Sequence, residues 1–213
     1  MPSKAVALFA AACLILAAVV GGTAWWLSRG EPAQPEQQGG GPATQPVVTY
    51  GRADIGGPFE LVDQTGRTVD QSILQGYWTA VFFGFTYCPD VCPGTLQALA
   101  AASDQLGPKA KDLKIVFISV DPGRDTPEQV KGFLSGDNLP KNIQGLTGTP
   151  EQTAAAAKAY RVYYKKVGDG PDYSVDHSTA IYLMDPKGRF DSVLAYGLTP
   201  PQMAELISKA MRN

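Results

Sequence analysis

Residues 78–93 read WTAVFFGFTYCPDVCP, and the fold is decided there. Trp78–Phe85 is an almost unbroken apolar run, the mark of a central strand buried on both faces. Two cysteines, Cys88 and Cys92, follow at once. Pro93 then suits the first turn of a helix, where its missing N–H costs nothing. A helix over about 93–106 continues the chain. Working outward, Lys114–Val120 (KIVFISV) is a second buried strand. Phe59, Leu61 and Val69 around the polar turn Asp63–Gly66 read as a hairpin. Ala180–Met184 and Phe190–Ala195 around Asp185–Gly188 read as another.

Three further helix starts share one pattern: Thr126-Pro-Glu-Gln129, Thr149-Pro-Glu-Gln152 and Thr199-Pro-Pro-Gln202. Thr caps, Pro takes the first helical position, and Gln three residues on completes a capping box. The helices expected are about 127–135, 150–161 and 200–211. The order is therefore hairpin, β, α, β, α, an inserted βα segment at about 143–175, then ββα. That order describes an α/β, thioredoxin-like layered domain over residues 49–213.

The N-terminal part has a different composition. Residues 5–27 (AVALFAAACLILAAVVGGTAWWL) carry no charge. As a helix they would extend about 35 Å, enough for the hydrocarbon layer. Lys4 precedes the run, and Trp25 and Trp26 suit a membrane–water interface. Residues 1–28 are thus expected to be a single transmembrane anchor with the N-terminus in the cytoplasm. A cleavable signal peptide is the rival reading, but Thr23-Ala24-Trp25 makes a poor cleavage site. The four residues before the run leave no room for a mitochondrial transit peptide, which points to a bacterial inner membrane with the domain facing the periplasm. Cys13, in the middle of the run, reads as a small lipid-buried residue. Residues 29–48, rich in Pro, Gly and Gln, have linker composition.

Composition excludes several function classes. Lys and Arg number 18 against 20 Asp and Glu, a net charge of −2, so nothing suggests a nucleic-acid partner. Three cysteines and one histidine are too few for a disulfide scaffold, a four-cysteine zinc site or a three-histidine site.

The cysteines stand where a central strand delivers its C-terminal end, the place for a site in an α/β sheet. With Pro93 at the first helical position, Cys92 would lie at the cap and Cys88 just before it. There the helix dipole favours thiolate over thiol. Thiolates serve as nucleophiles and as soft metal ligands. A dithiol oxidoreductase has two residues between its cysteines; three here let both sulfurs approach one ion, Cu(I) or Zn(II). A third ligand would make the site trigonal. His177, in Val175-Asp-His-Ser-Thr179, enters the Ala180–Met184 strand, and in thioredoxin-like domains that loop faces the cysteines. Ser178 replaces the proline such loops carry. Asp176 could orient the imidazole, or simply be solvated.

Three stretches together, FGFTYCPDVCP (83–93), ISVDPGRDTPEQV (118–130) and DHSTAIYLMDPKGRF (176–190), resemble the Sco/SenC family of copper chaperones. The resemblance extends over the whole soluble domain. It implies copper, as Cu(I) and possibly Cu(II), held by Cys88, Cys92 and His177. It also implies work on the copper A centre in subunit II of cytochrome c oxidase, by delivering copper or by reducing the subunit's cysteines. A periplasmic thiol reductase or an upstream copper donor would be a second partner. Many relatives have His where this chain has Tyr87, a position that is not a family ligand. A thiol–disulfide reductase using Cys88 and Cys92 without His177 remains an alternative. A peroxidase wants Thr three residues before the reactive cysteine, whereas Phe85 stands there.

Overall fold

The computed structural model describes residues 54–140 and 142–212. A seven-stranded mixed sheet forms its centre, in the order β2 (Thr68–Asp70), β1 (Glu60–Asp63), β5 (Ile143–Thr147), β4 (Leu113–Ser119), β3 (Trp78–Gly84), β8 (Ile181–Met184) and β9 (Phe190–Leu194). The central strands are β3 (Trp78–Gly84) and β4 (Leu113–Ser119), joined in parallel through helix α1 (Val91–Gln105). Ala80, Val81, Phe82 and Phe83 in β3 and Ile115, Val116, Phe117 and Ile118 in β4 are fully buried. Continuous apolar sequence is what a strand covered on both faces requires.

Both hairpins form as expected. In the first, β1 (Glu60–Asp63) pairs with β2 (Thr68–Asp70). Its turn is organised by Asp63, which accepts hydrogen bonds from the Thr65 and Arg67 backbones and from both side chains. The second hairpin, β8 (Ile181–Met184) and β9 (Phe190–Leu194), lies antiparallel beside β3. Helix α4 (Pro200–Ala210) follows it and packs against α1. The segment β4-β3-β8-β9 with α1, α2 (Pro127–Leu134) and α4 has the thioredoxin-like order.

The start of the first helix, a hairpin after the third and the capping at Thr126 differ from expectation. Helix α1 begins at Val91 with Asp90 as its N-cap, so Cys92 lies inside the first turn. The chain can enter the helix before Pro93 because proline is tolerated throughout the first turn, where N–H groups have no intrahelical partner. The inserted βα segment expected at about 143–175 is present. Its strand β5 (Ile143–Thr147) is built into the main sheet between β1 and β4, parallel to β4, and is followed by helix α3 (Pro150–Ala159). Gly145 permits α2 to lie close over β5, since a Cβ there would fall 2.3 Å from Val130 Cγ1.

After α3 comes an unforeseen hairpin, β6 (Tyr164–Val167) and β7 (Ser174–His177), which forms its own two-stranded sheet. Most of its residues are exposed and its turn is rich in Gly and Asp, so no apolar alternation announced it. The capping pattern is complete at Thr149. At Thr199 it rests on Gln202 Oε1, which accepts from the Thr199 N–H and hydroxyl. At Thr126 only the Gln129 N–H bond to Thr126 Oγ1 forms.

Among the described residues no helix is long and apolar enough to cross a membrane. The anchor expected at residues 1–28, the linker at 29–48 and Cys13 all lie outside the described residues.

Candidate metal centre

The C-terminal end of β3 carries the site. Gly84, its last residue, leaves room that no side chain could share: a Cβ there would stand 2.8 Å from Phe117 Cε2 and 2.9 Å from Cys92 Sγ. The sulfur of Cys92 thus lies directly against the strand, and the residue is fully buried. The loop 85–90 between β3 and α1 is tied down by Asp125, from the segment after β4. Its carboxylate accepts from Thr86 N–H at 3.0 Å, Thr86 Oγ1 at 2.6 Å and Ser119 Oγ at 2.6 Å. Asp125 is buried, and burial pushes its carboxyl pKa up against these hydrogen bonds. Sequence reasoning missed Asp125, although it lies inside the 118–130 stretch that carries the family resemblance.

Cys88, half-buried, sits at the tip of this loop. Its sulfur accepts a hydrogen bond from the Cys92 N–H at 3.3 Å. Asp90, the N-cap, makes no side-chain capping bond, so the Cys88 sulfur supplies part of what a cap would. Both cysteines are free thiols.

His177 is the last residue of β7, in a strand and not in the loop expected. Its Nδ1 lies 2.9 Å from the Ser178 carbonyl oxygen. A carbonyl only accepts, so Nδ1 carries the proton and Nε2 carries the lone pair. Nε2 stands 3.6 Å from Cys92 Sγ. Burial lowers the His177 pKa, with the Ser178 backbone bond and the Asp176 charge acting against it. The neutral imidazole, a ligand form, is favoured. Phe85 and Phe82 present their faces and edges around the ring, with centroids 5.8 and 6.2 Å away.

Ser178 does more than replace a proline. Its N–H donates to Tyr163 O and its Oγ accepts from Tyr163 N–H. Proline could make neither bond. The Ser178 carbonyl, not Asp176, orients the imidazole; Asp176 is exposed and pairs across the hairpin with Lys165.

The spacing can be tested against metal geometry. A sulfur and a nitrogen bonded to one ion at about 2.3 and 2.0 Å, 110–120° apart, are separated by roughly 3.5–3.7 Å. The Cys92–His177 separation of 3.6 Å falls in that window. The Cys88 sulfur is still turned toward the helix, and among the described residues no three His, Cys, Asp or Glu are already gathered as ligands. Two donors are in place, and the Cys88 side chain would have to turn to join them.

The expectation of a favoured thiolate at Cys92 is overturned. Burial pushes the Cys92 thiol up, and the neighbouring Cys88 and Asp125 act in the same direction. Only a backbone hydrogen bond at Phe85 opposes them. Without a metal, loss of solvent outweighs the helix dipole.

A family model described as SCO1/SenC matches residues 47–212. The chain belongs to that family. It is 46% identical over 157 residues to Protein SenC of Rhodobacter capsulatus, covering 73% of this chain and 70% of that one. It is 49% identical over 142 residues to Protein SCO1 homolog 1, mitochondrial, of Arabidopsis thaliana, covering 66% of this chain and 42% of the relative. The chain therefore spans under half the length of that plant relative.

Among solved structures, Arabidopsis thaliana ScoI with copper bound superposes with a TM-score of 0.70 at 41% identity, covering 74% of this chain and 98% of that one. Bradyrhizobium japonicum ScoI with copper bound gives 0.67 at 43%, covering 73% and 99%. More distant is BsSco, at 25% identity and a TM-score of 0.59, covering 78% and 94%. It is described as having a disulfide switch and belonging to the Sco family of cytochrome c oxidase assembly proteins.

Proposed function

We propose that this Sco/SenC chain is a copper chaperone that holds one copper ion through Cys88 Sγ, Cys92 Sγ and His177 Nε2. Copper is its cargo, passed on in the assembly of cytochrome c oxidase. The observation that carries the reading is the 3.6 Å separation of Cys92 Sγ and His177 Nε2, set by two separate elements. The copper-bound ScoI relatives and the oxidase-assembly description of BsSco support it.

The chain's own residues supply the chemistry. Soft thiolates with one imidazole suit Cu(I). Both thiols give up their protons on binding, which coordination makes possible for a buried sulfur. His177 presents Nε2 already deprotonated. Cys88, on the loop and half-exposed, is the ligand that an acceptor's thiolate would exchange first. Cys92, fully buried, is released last. The acceptor is subunit II with its copper A cysteines. Residues 5–27 anchor the chain in a bacterial inner membrane and keep the domain near that acceptor in the periplasm, raising its local concentration.

The test is competition of the reduced protein with a Cu(I)-specific chromophoric chelator, alongside X-ray absorption of the loaded form. One copper per chain, with two sulfurs and one nitrogen, is expected. His177→Ala should weaken binding by about tenfold or more, the scale on which single ligand-shell changes act. An unchanged affinity in that variant refutes the three-ligand site.

A second reading, thiol–disulfide reduction of the acceptor's cysteines, is favoured by the two free thiols and the half-exposed Cys88. It is distinguished by copper independence: the metal-free protein would reduce the acceptor equally fast with and without His177.

A further inference from the structure

One cation beside the site is gripped by three separate segments. Arg124 lies in the turn after β4, with its guanidinium carbon 3.5 Å from the ring centre of Tyr173 and 4.5 Å from that of Tyr87. Its Nε donates to Asp121 Oδ2 at 2.7 Å, and its Nη1 donates to the Pro171 carbonyl at 3.1 Å. The Tyr173 hydroxyl donates to the other Asp121 oxygen. Lys166 Nζ also sits over the Tyr173 ring, at 4.0 Å. Arg124 Nη2 is buried without a hydrogen-bond partner, which marks a guanidinium used for its face as much as for its donors.

The location of these partners gives the cluster its meaning. Tyr87 immediately precedes Cys88. Pro171 and Tyr173 lie in the connection of the β6–β7 hairpin, and β7 ends at His177. That hairpin is a two-stranded sheet apart from the main one, and such a pair has little stability by itself. Its base is held by the Ser178–Tyr163 bonds. Its far end is held by Arg124.

We propose that Arg124 is a positioning residue for the copper site, a latch that sets the His177 hairpin against the Cys88 loop. It touches no ligand atom and acts through Tyr87 and Tyr173. The proposal rests on the reading of Cys88, Cys92 and His177 as the copper ligands. Arginine suits the task because its planar, permanently charged group can lie against two rings while its edge bonds a carboxylate and a carbonyl. Lysine keeps the charge and loses the face.

The experiment is a double-mutant cycle on the full chain, with Cu(I) affinity read by chelator competition. Arg124→Gln should bind copper about tenfold more weakly than wild type, the scale of a partly desolvated guanidinium–ring contact. Arg124→Lys should lose nearly as much. In a His177→Ala background Arg124→Gln should cause no further loss, because the latch then has no third ligand to place. The sulfur-to-copper charge-transfer band of the Cu(II)-loaded protein should shift in Arg124→Gln toward that of His177→Ala.

A penalty that persists in full in the His177→Ala background overturns the proposal, as does a lowered Tm of the metal-free protein with unchanged affinity. If Arg124→Gln does not fold, Tyr173→Leu removes the closer ring and is put through the same cycle, with the same coupling expected. Should His177→Ala itself bind like wild type, the three-ligand reading fails first and the latch falls with it.

Discussion

Asp125 is the residue whose removal should tell most about how the cysteine loop is held. Its carboxylate is 1% exposed and satisfies Thr86 N–H, the Thr86 hydroxyl and the Ser119 hydroxyl. Asp125→Ala leaves the Thr86 N–H without an acceptor, because a backbone donor cannot turn away. The hydroxyls can partly reorient. Hydrogen bonds to a charged group contribute about 1.5–3 kcal/mol each. Set against the relief of burying a carboxylate, the loss should come to about 3–5 kcal/mol.

Asp125→Asn behaves differently. Its oxygen in place of Oδ2 keeps the Thr86 N–H and Ser119 bonds. Its NH2 in place of Oδ1 donates to Thr86 Oγ1, whose own proton can rotate aside. The loss at neutral pH should be about 1 kcal/mol or less.

The sign of the pH dependence follows from the raised carboxyl pKa. Burial lifts it above its usual 3.8, so the contribution of Asp125 to stability is fully present below that value. It declines as pH rises through the higher folded value. Asn has no such loss, so its stability relative to wild type should improve from acid to neutral pH. Urea unfolding of the metal-free protein at several pH values reads all three effects. Equal losses for Ala and Asn, or an Asn variant that worsens relative to wild type as pH rises, would refute the reasoning.

Two other outcomes are expected. Gly84→Ala places a methyl within 2.9 Å of Cys92 Sγ and 2.8 Å of Phe117; overpacking of this kind costs about 1–3 kcal/mol, and denaturation together with Cu(I) competition should show lower stability and weaker binding. Alkylation of the native metal-free protein with iodoacetamide, followed by peptide mass mapping, should label half-exposed Cys88 about a hundredfold or more faster than Cys92, which is buried and pushed toward the thiol form; equal rates would mean that Cys92 is not enclosed as described.

What the sequence disclosed was what periodicity and spacing can encode. The runs at 78–85 and 114–120 admit only strands covered on both faces, and Thr-Pro-x-Gln marks a helix start wherever it occurs. The β6–β7 hairpin escaped because Lys165, Lys166 and the Gly168–Gly170 turn give most of it a solvated surface, and Tyr164 and Val175 are too few apolar residues on its inner face to show as alternation. Its strands pair with each other, the Ser178–Tyr163 bonds close its base, Val175 packs into the core, and Arg124 from distant sequence holds its far end. Asp125 escaped for a related reason: an aspartate among Gly, Arg, Thr and Pro reads as a turn residue, and its burial follows from β4 and the cysteine loop converging on it in space. At Cys92 the helix position, visible in sequence, favours thiolate, while the solvent exclusion that outweighs it is set by the fold.

These differences bear on how the site would work. His177 and Cys92 owe their separation to elements far apart in the chain, a hairpin end and a helix start resting on Gly84, so their spacing is a property of the fold. Cys88 owes its place to a short loop and to one N–H···S bond from Cys92. A coordinated thiolate still has lone pairs to accept that N–H, so the sulfur could turn into the site without leaving the helix end unsatisfied. In the proposed copper site, a buried pair would set the geometry, and a loop ligand that moves without stranding a donor would let a competing thiolate open it.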